Sequence, residues 1–328
     1  MKTDGAGSSS FDGSSVRVLE LFSGIGGMCM ASQRAGFGSV VSAIDINPVA
    51  NQVFSHSHHP AKGVLKARNI NSLAPRDFAD VDALLMSPPC QPFSRNGNRL
   101  DLSDPRTEPL SQVTELLRTA ETIPKMILLE NVKGFESSDA CSCLKEVLKS
   151  RGYSLQEFLL SPNQVGIPNS RLRYFLLAKT AVFSFQHSAS IFLELPVKSA
   201  VPATDLPRLK DFLGEAFDRA NSDLSLRLKS KDVERYLPVL DIVTGDCRRS
   251  CCFTKSYGHF LEGTGSIVSL NVDEPRPALR FFSPEEVALL MGFPPEFSFP
   301  ESVTRKQRYR LLGNSVNVVL VAELLKLF

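Results

Sequence analysis

The chain has 328 residues, 43% of them hydrophobic, and a formal charge of +2, enough to bury one large core with or without a smaller second domain. So slight a net charge leaves any anionic partner to local basic patches. Seven cysteines without regular spacing exclude a disulfide framework and point to a reducing compartment, and no apolar run reaches the ~18 residues of a membrane span. A soluble protein of the cytoplasm, with the nucleus as a second location, is therefore expected.

Residues 1–15 are rich in glycine and serine without hydrophobic periodicity, which predicts a disordered leader outside the fold. Residues 16–22 are apolar and β-forming and stop at Ser23-Gly24-Ile25-Gly26-Gly27, after which a helix is predicted over 28–35. Strand, glycine turn and helix open a nucleotide-type βαβ unit. A second strand over 40–46 carries Asp45, about 20 residues past the glycines, where an acid commonly accepts from ribose hydroxyls. A dinucleotide fingerprint counted from Gly24 fails at its third glycine, where Cys29 stands. A cofactor without a pyrophosphate fits better. S-adenosylmethionine is such a cofactor, with the turn approaching its amino-acid end through backbone and Asp45 taking the ribose.

His56, His58 and His59 lie among serine and proline, which predicts a solvated loop rather than a metal site. Cys141-Ser142-Cys143 has no matching ligand pair at zinc-finger spacing. Asn69-Ile70-Asn71 precedes a helix start and reads equally as adenine-pocket lining or plain loop.

Residues 81–86 are continuously apolar, as in a parallel strand buried on both faces. Ser87-Pro88-Pro89-Cys90-Gln91-Pro92-Phe93-Ser94 follows, and its prolines restrict the backbone that carries the Cys90 thiol. Carboxyl edges of open α/β sheets bind ligands. The polar run Arg95-Asn96-Gly97-Asn98-Arg99 predicts a mobile loop over a substrate. Residues 126–129 form another buried strand with Glu130-Asn131-Val132 at its end, and a carboxylate there is costly unless paired or used.

A helix over 139–150 leads to strands over 155–160 and 172–178, with Arg171 and Arg173 at alternate positions and hence on one side. The pattern loosens from residue 181 to 282, where a helix is predicted over 209–220. Within that stretch Cys247-Arg248-Arg249-Ser250-Cys251-Cys252-Phe253-Thr254-Lys255 reads as a nucleic-acid contact loop, with Arg248, Arg249 and Lys255 on phosphates. Ser283-Pro284-Glu285-Glu286 starts a capped helix, Gly313-Asn314-Ser315 reads as a turn, and residues 316–328 as a buried helix folding back onto the first domain.

One reaction uses the cofactor turn, Cys90 and Glu130 together. A thiolate adding to position 6 of a pyrimidine turns position 5 into an enamine carbon able to attack a sulfonium methyl. Glu130 would stabilise N3 and read the exocyclic amine, and loss of the position-5 proton would expel Cys90. The base must leave its stack. Arg173 would hold it, and nearby cations are expected to lower the thiol pKa.

Phe22-Ser23-Gly24-Ile25-Gly26-Gly27, Pro88-Pro89-Cys90-Gln91-Pro92-Phe93-Ser94, Glu130-Asn131-Val132, Arg171-Leu172-Arg173 and Arg310-Leu311-Leu312-Gly313-Asn314-Ser315 resemble, in order, the motifs of cytosine-C5 methyltransferases. Cys252-Phe253-Thr254 and the runs 128–136 and 167–174 look like the tRNA (cytosine-5) methyltransferase branch, the DNA methyltransferase homologue two family, whose members methylate an anticodon-loop cytosine of aspartate tRNA. The resemblance implies an α/β fold: a Rossmann-like S-adenosylmethionine-dependent methyltransferase sheet with helices on both faces. It implies a catalytic domain over 16–180 and 283–328 and a smaller target-recognition domain over 181–282.

By the same resemblance Cys90 is the nucleophile, Glu130 grips N3, and Arg171 and Arg173 support the target base. Phe22, Ser23, Ile25, Gly26, Gly27, Asp45, Ile46, Ile70, Asn71, Ser87, Asn314 and Ser315 are expected around S-adenosyl-L-methionine and its product S-adenosyl-L-homocysteine. Arg95, Arg248, Arg249, Cys252, Phe253, Thr254 and Lys255 are expected to contact nucleic acid. The expected partner is tRNA, above all tRNA-Asp, bound by a monomer with no metal and no membrane. The alternative is a DNA (cytosine-5) methyltransferase.

Overall fold

A computed structural model describes residues 15–91, 101, 104–181, 191–196, 201–202, 205–271 and 277–328. Residues 1–14 of the expected leader, Arg95 and the loop 95–99 lie outside them. Strands β1 (Val16–Leu21), β2 (Gly38–Asp45), β3 (Leu65–Ala67), β4 (Ala83–Met86), β5 (Met126–Val132), β6 (Ser154–Leu160) and β7 (Arg173–Lys179) form one sheet in the order β3-β2-β1-β4-β5-β7-β6. Pairings from β3 through β5 are parallel, and β7 runs antiparallel between β5 and β6. The strand order reverses between β1 and β4, and the carboxyl ends on either side of that reversal open a crevice.

All four positions of β4 are buried, which accounts for its lack of polar residues. Alternation along the strands splits the core in two. Val18, Ala83, Leu85, Met126, Leu128, Phe175 and Leu177 pack on one face with α1 (Gly27–Ala35) and α10 (Val318–Leu325). Leu19, Leu84, Met86, Ile127, Leu129, Tyr174 and Leu176 pack on the other with α3 (Glu108–Thr119) and α4 (Asp139–Ser150). The expected Rossmann-like sheet with helices on both faces is thus present.

The histidine-rich stretch is helical rather than a solvated loop. Helix α2 (Pro48–His58) starts where Asn47 Oδ1 accepts from the amides of Val49 and Ala50 and Pro48 supplies the first turn. His56 and His58 lie in its last turn, with His59 at the C-cap.

The insert carries α5 (Leu209–Leu213), α6 (Glu215–Ser222), α7 (Ser230–Tyr236) and a small sheet of β8 (Ile242–Val243), β9 (Ile267–Ser269) and β10 (Leu279–Phe281). Gly214, at φ 51, breaks the single helix expected over 209–220. Helix α8 (Pro284–Leu290) packs against α5 and α6 and also touches α9 (Arg305–Asn314). Arg280 of β10 and Glu286 of α8 form a fully buried ion pair. Helix α10 returns the chain to α1. Among the described residues, no helix is long and apolar enough to cross a membrane, and no cluster of potential metal ligands occurs.

Candidate active site

The alternation that builds the core also brings three charges to the α1/α10 face. Glu20 shares that face with Val18, Glu130 with Met126 and Leu128, and Arg173 with Phe175 and Leu177. In the β5/β7 ladder Val132 pairs with Arg173 and Glu130 with Phe175, making Glu130 and Arg173 diagonal neighbours. Arg173 Nε lies 3.3 Å from Glu130 Oε1. Both line a cavity of about 280 Å³, together with Pro88, Pro89 and Cys90 from the loop after β4.

Asn131 braces that loop to β5. Its Nδ2 donates to Pro88 O at 3.3 Å while its Oδ1 accepts from Val132 N at 2.8 Å. Burial pushes the Cys90 thiol up, and the nearby Glu130 carboxylate adds to the shift; Arg173, Arg171 and Lys255 oppose it without prevailing. The lowered thiol pKa expected from the sequence is therefore reversed. Burial also raises Glu130 against the pull of Arg173 and Arg171. A proton retained on Glu130 removes a negative charge that resists thiolate formation at Cys90.

Cys252 is a second thiol at this site rather than a loop residue apart from it. Arg171 Nη1 lies 3.4 Å and Arg173 Nη2 3.8 Å from its sulfur. Burial acts to raise this thiol, but the two guanidiniums outweigh it and the balance lies below the ordinary thiol value. Arg171 precedes β7 instead of sharing a strand face with Arg173. Its Nη1 donates to Phe253 O (3.2 Å) and its Nη2 to Gly313 O (3.1 Å) and Ser315 O (2.7 Å). Arg171 thus stitches three segments together while still lining the cavity.

Helix α9 continues through Gly313 and Asn314 instead of turning there. A Cβ at Gly313 would sit 2.2 Å from Lys255 N and 2.3 Å from Thr254 C, so only glycine allows this close approach. Exposed Lys255 is thereby held where its charge acts on Cys90.

Phe22, Ser23, Ile25, Gly27, Asp45, Ile46, Ser87, Asn314 and Ser315, named from the sequence as cofactor residues, line the same cavity. Phe22 adopts φ 57, a strained value for a non-glycine residue. Asp45 accepts from Gly24 N and Asn47 N, each at 2.8 Å, locking the glycine turn to the start of α2. Gly26 supports the turn from outside the lining. At φ 81, it would place a Cβ 2.1 Å from His58 Nε2. That nitrogen donates to Ile25 O at 3.0 Å, and the ring stacks on Phe54. Burial lowers the His58 pKa and favours this neutral donor.

Ile70 and Asn71 are not brought to the lining. Asn69 caps a short 3-10 turn over Ile70–Ser72, and Ile70 is buried in the core on the α3/α4 face. Phe253 is no surface contact either: it is 1% exposed and meets Tyr257 and Phe282 edge-on. Thr254 N donates to Thr264 O. Arg248 and Arg249 are exposed and line a second cavity.

Sequence reasoning missed Glu20. The signal available was an acid inside the apolar run from Val18 to Leu21. Burial pushes Glu20 up to about 8, although the amides of Cys29 and Met28 pull it down. Its Oε2 and the Ser23 hydroxyl are both buried without a partner, an arrangement suited to a cationic donor.

The C-5 cytosine-specific DNA methylase family model matches residues 16–327. The chain belongs to this family. This C5 methylase is 40% identical to the tRNA (cytosine(38)-C(5))-methyltransferase of Homo sapiens over 95% of this chain and 98% of that one. Its fold matches the crystal structure of a Spodoptera frugiperda DNMT2 mutant with a TM-score of 0.82 and 40% identity, covering 95% of this chain and 99% of the other. The S. pombe Dnmt2 methyltransferase structure matches with a TM-score of 0.80 and 35% identity, covering 95% and 97%.

Proposed function

We propose that this enzyme methylates C5 of the cytosine at position 38 in a tRNA anticodon loop, with tRNA-Asp as its principal substrate. The observation that carries this reading is the 40% identity, over almost the full length of both chains, to a human enzyme named for that tRNA position. S-adenosylmethionine, when bound, supplies the sulfonium methyl group that the activated pyrimidine carbon takes. Glu20 and Ser23 suit its ammonium group, the glycine-turn amides its carboxylate, Asp45 its ribose hydroxyls and Ile46 the flat base. The unpartnered oxygens of Glu20 and Ser23 support that fit.

Cys90 adds to position 6 of the unstacked cytosine. Glu130 carries a proton to N3 and, with its other oxygen, accepts from the exocyclic amine. Arg173 holds the Glu130 carboxyl in register with the base. Removal of the position-5 proton then restores the ring and expels the Cys90 thiolate. The test is methyl incorporation into tRNA-Asp, into the same tRNA with uridine at position 38, and into duplex DNA, with Cys90→Ala as control. Incorporation is expected only in the first tRNA and only with Cys90; preference for DNA overturns the reading.

A further inference from the structure

The turn after Lys255 carries an aromatic ring outward. Phe260 is 59% exposed, and the ring of His259 meets it edge-on at 4.6 Å. An isolated exposed apolar residue is ordinary on a protein surface. This one is set apart by how firmly its backbone is held and by where that backbone lies.

Phe260 N donates to Ser256 O at 3.0 Å, and Thr264 Oγ1 donates to Phe260 O at 2.7 Å. Thr264 O in turn accepts from Thr254 N at 2.9 Å. Phe260 is therefore tied to both neighbours of Lys255, to Ser256 directly and to Thr254 through Thr264. Beneath the turn Tyr257 is buried, its hydroxyl donating to Ser266 O and accepting from Phe282 N, and its ring meets Tyr309 of α9 edge-on. These bonds use the backbone and other side chains and leave the Phe260 ring outward. Exposed Lys255 is itself fixed against Gly313, which lines the cavity that holds Cys90, and its charge acts on Cys90. The ring is thus presented by a braced turn that adjoins the cavity wall.

What would cover such a ring follows from its surroundings. Gly258, His259, Glu262 and Gly263 around it are exposed, and none of them extends it into the contiguous apolar patch that a protein partner would use. A single flat π face beside an imidazole and close to a lysine suits a nucleobase whose phosphate meets the cation. The reaction also creates the need: a cytosine that leaves its stack deprives the bases on either side of a stacking partner. We infer that Phe260 is a stacking platform for an unpaired nucleobase flanking the methylated cytosine, with Lys255 on the adjoining phosphate. This assignment rests on the RNA reading above. Every base has a π face, so the platform contributes affinity and register rather than sequence choice.

The sequence contains no tryptophan, so Phe260→Trp places a single fluorescent reporter at an exposed position. With S-adenosylhomocysteine bound, an anticodon stem-loop RNA should quench that fluorescence saturably. Making the flanking nucleotides abasic one at a time should relieve the quenching at one position. No quenching, or equal quenching by every abasic RNA, overturns the platform.

Methylation kinetics separate stacking from bulk. Phe260→Ala should raise KM for the stem-loop roughly tenfold with little change in kcat. Phe260→Trp should keep the wild-type KM, and Phe260→Leu should not. The difference between wild type and Phe260→Ala should vanish on the RNA that is abasic at the position found by fluorescence. A wild-type KM in the leucine variant would show an apolar contact only, and a wild-type KM in the alanine variant would show a ring that touches no substrate; either overturns the assignment. If the wild type methylates no RNA, the RNA reading fails, and the tryptophan titration decides the platform by itself.

Discussion

Arg173 Nε lies 3.3 Å from Glu130 Oε1 on one face of the β5/β7 ladder, and this pair sets the electrostatic surroundings of Cys90. Burial and the Glu130 charge both raise the Cys90 thiol, so its alkylation by iodoacetamide should increase with pH through the alkaline range. Glu130→Gln removes one of these two influences. The Cys90 alkylation profile, followed by peptide mass spectrometry to separate it from Cys252, should therefore move to lower pH. Methyl transfer should fall by about 10²–10⁴-fold. An unmoved profile would show that Glu130 does not act on the thiol. Cys252, lowered by Arg171 and Arg173 against its burial, should alkylate at lower pH than Cys90.

Glu20 makes stability depend on pH with an unusual sign. Burial raises its folded pKa to about 8, whereas the unfolded chain releases that proton near 4.3. Below the unfolded value both states hold the proton and nothing is lost. Between that value and about 8 the folded state keeps a proton that the unfolded state has released, so stability falls as pH rises. The slope approaches ~1.4 kcal/mol per pH unit. Glu20→Gln lacks this penalty, and its urea midpoint should exceed that of wild type by a margin growing from about pH 5 to about pH 8. A constant margin would remove the titration from Glu20. An ammonium ligand favours the charged carboxylate, so S-adenosylhomocysteine affinity should rise with pH over the same interval and lose that dependence in the variant.

Arg280 and Glu286 hold β10 to α8 through two contacts of 2.8 and 2.9 Å. Arg280 Nε also donates to Asn221 Oδ1, and Ser283 N donates to Glu286 Oε2. Removing either partner strands the other charge in the core, at a cost of about 3–5 kcal/mol. Arg280→Met and Glu286→Leu should each lower the urea midpoint accordingly. The double variant should lose less than the sum of the two. Strict additivity would deny the coupling.

Features governed by local chain chemistry were legible before folding. The apolar run 16–22 and the glycines after it announce a βαβ opening because a turn with positive φ needs glycine. Prolines restrict the Cys90 loop through their own rings. Glu130 stands out because an acid ending an apolar strand demands a partner, and Arg173 supplies it. Strands β1, β2 and β4 through β7 follow from the same periodicities, whereas β3, α2 and α3 do not.

Tertiary packing decided the rest. His56 and His58 read as loop residues by composition, yet the Asn47 cap and the burial of Val53 and Phe54 make the stretch helical. Phe253 adjoins basic and polar residues in sequence, but Tyr257 and Phe282 enclose it. Arg171 became a clamp because Phe253, Gly313 and Ser315 turn their carbonyls toward it. The sign of the Cys90 shift was beyond the sequence for a deeper reason. The sequence by itself picked out Cys90, Glu130 and Arg173, which line one cavity, through residue type and local spacing. Their protonation depends on burial and on charges from β5, β7 and the 252–255 segment, and chain separation says nothing about those distances in space.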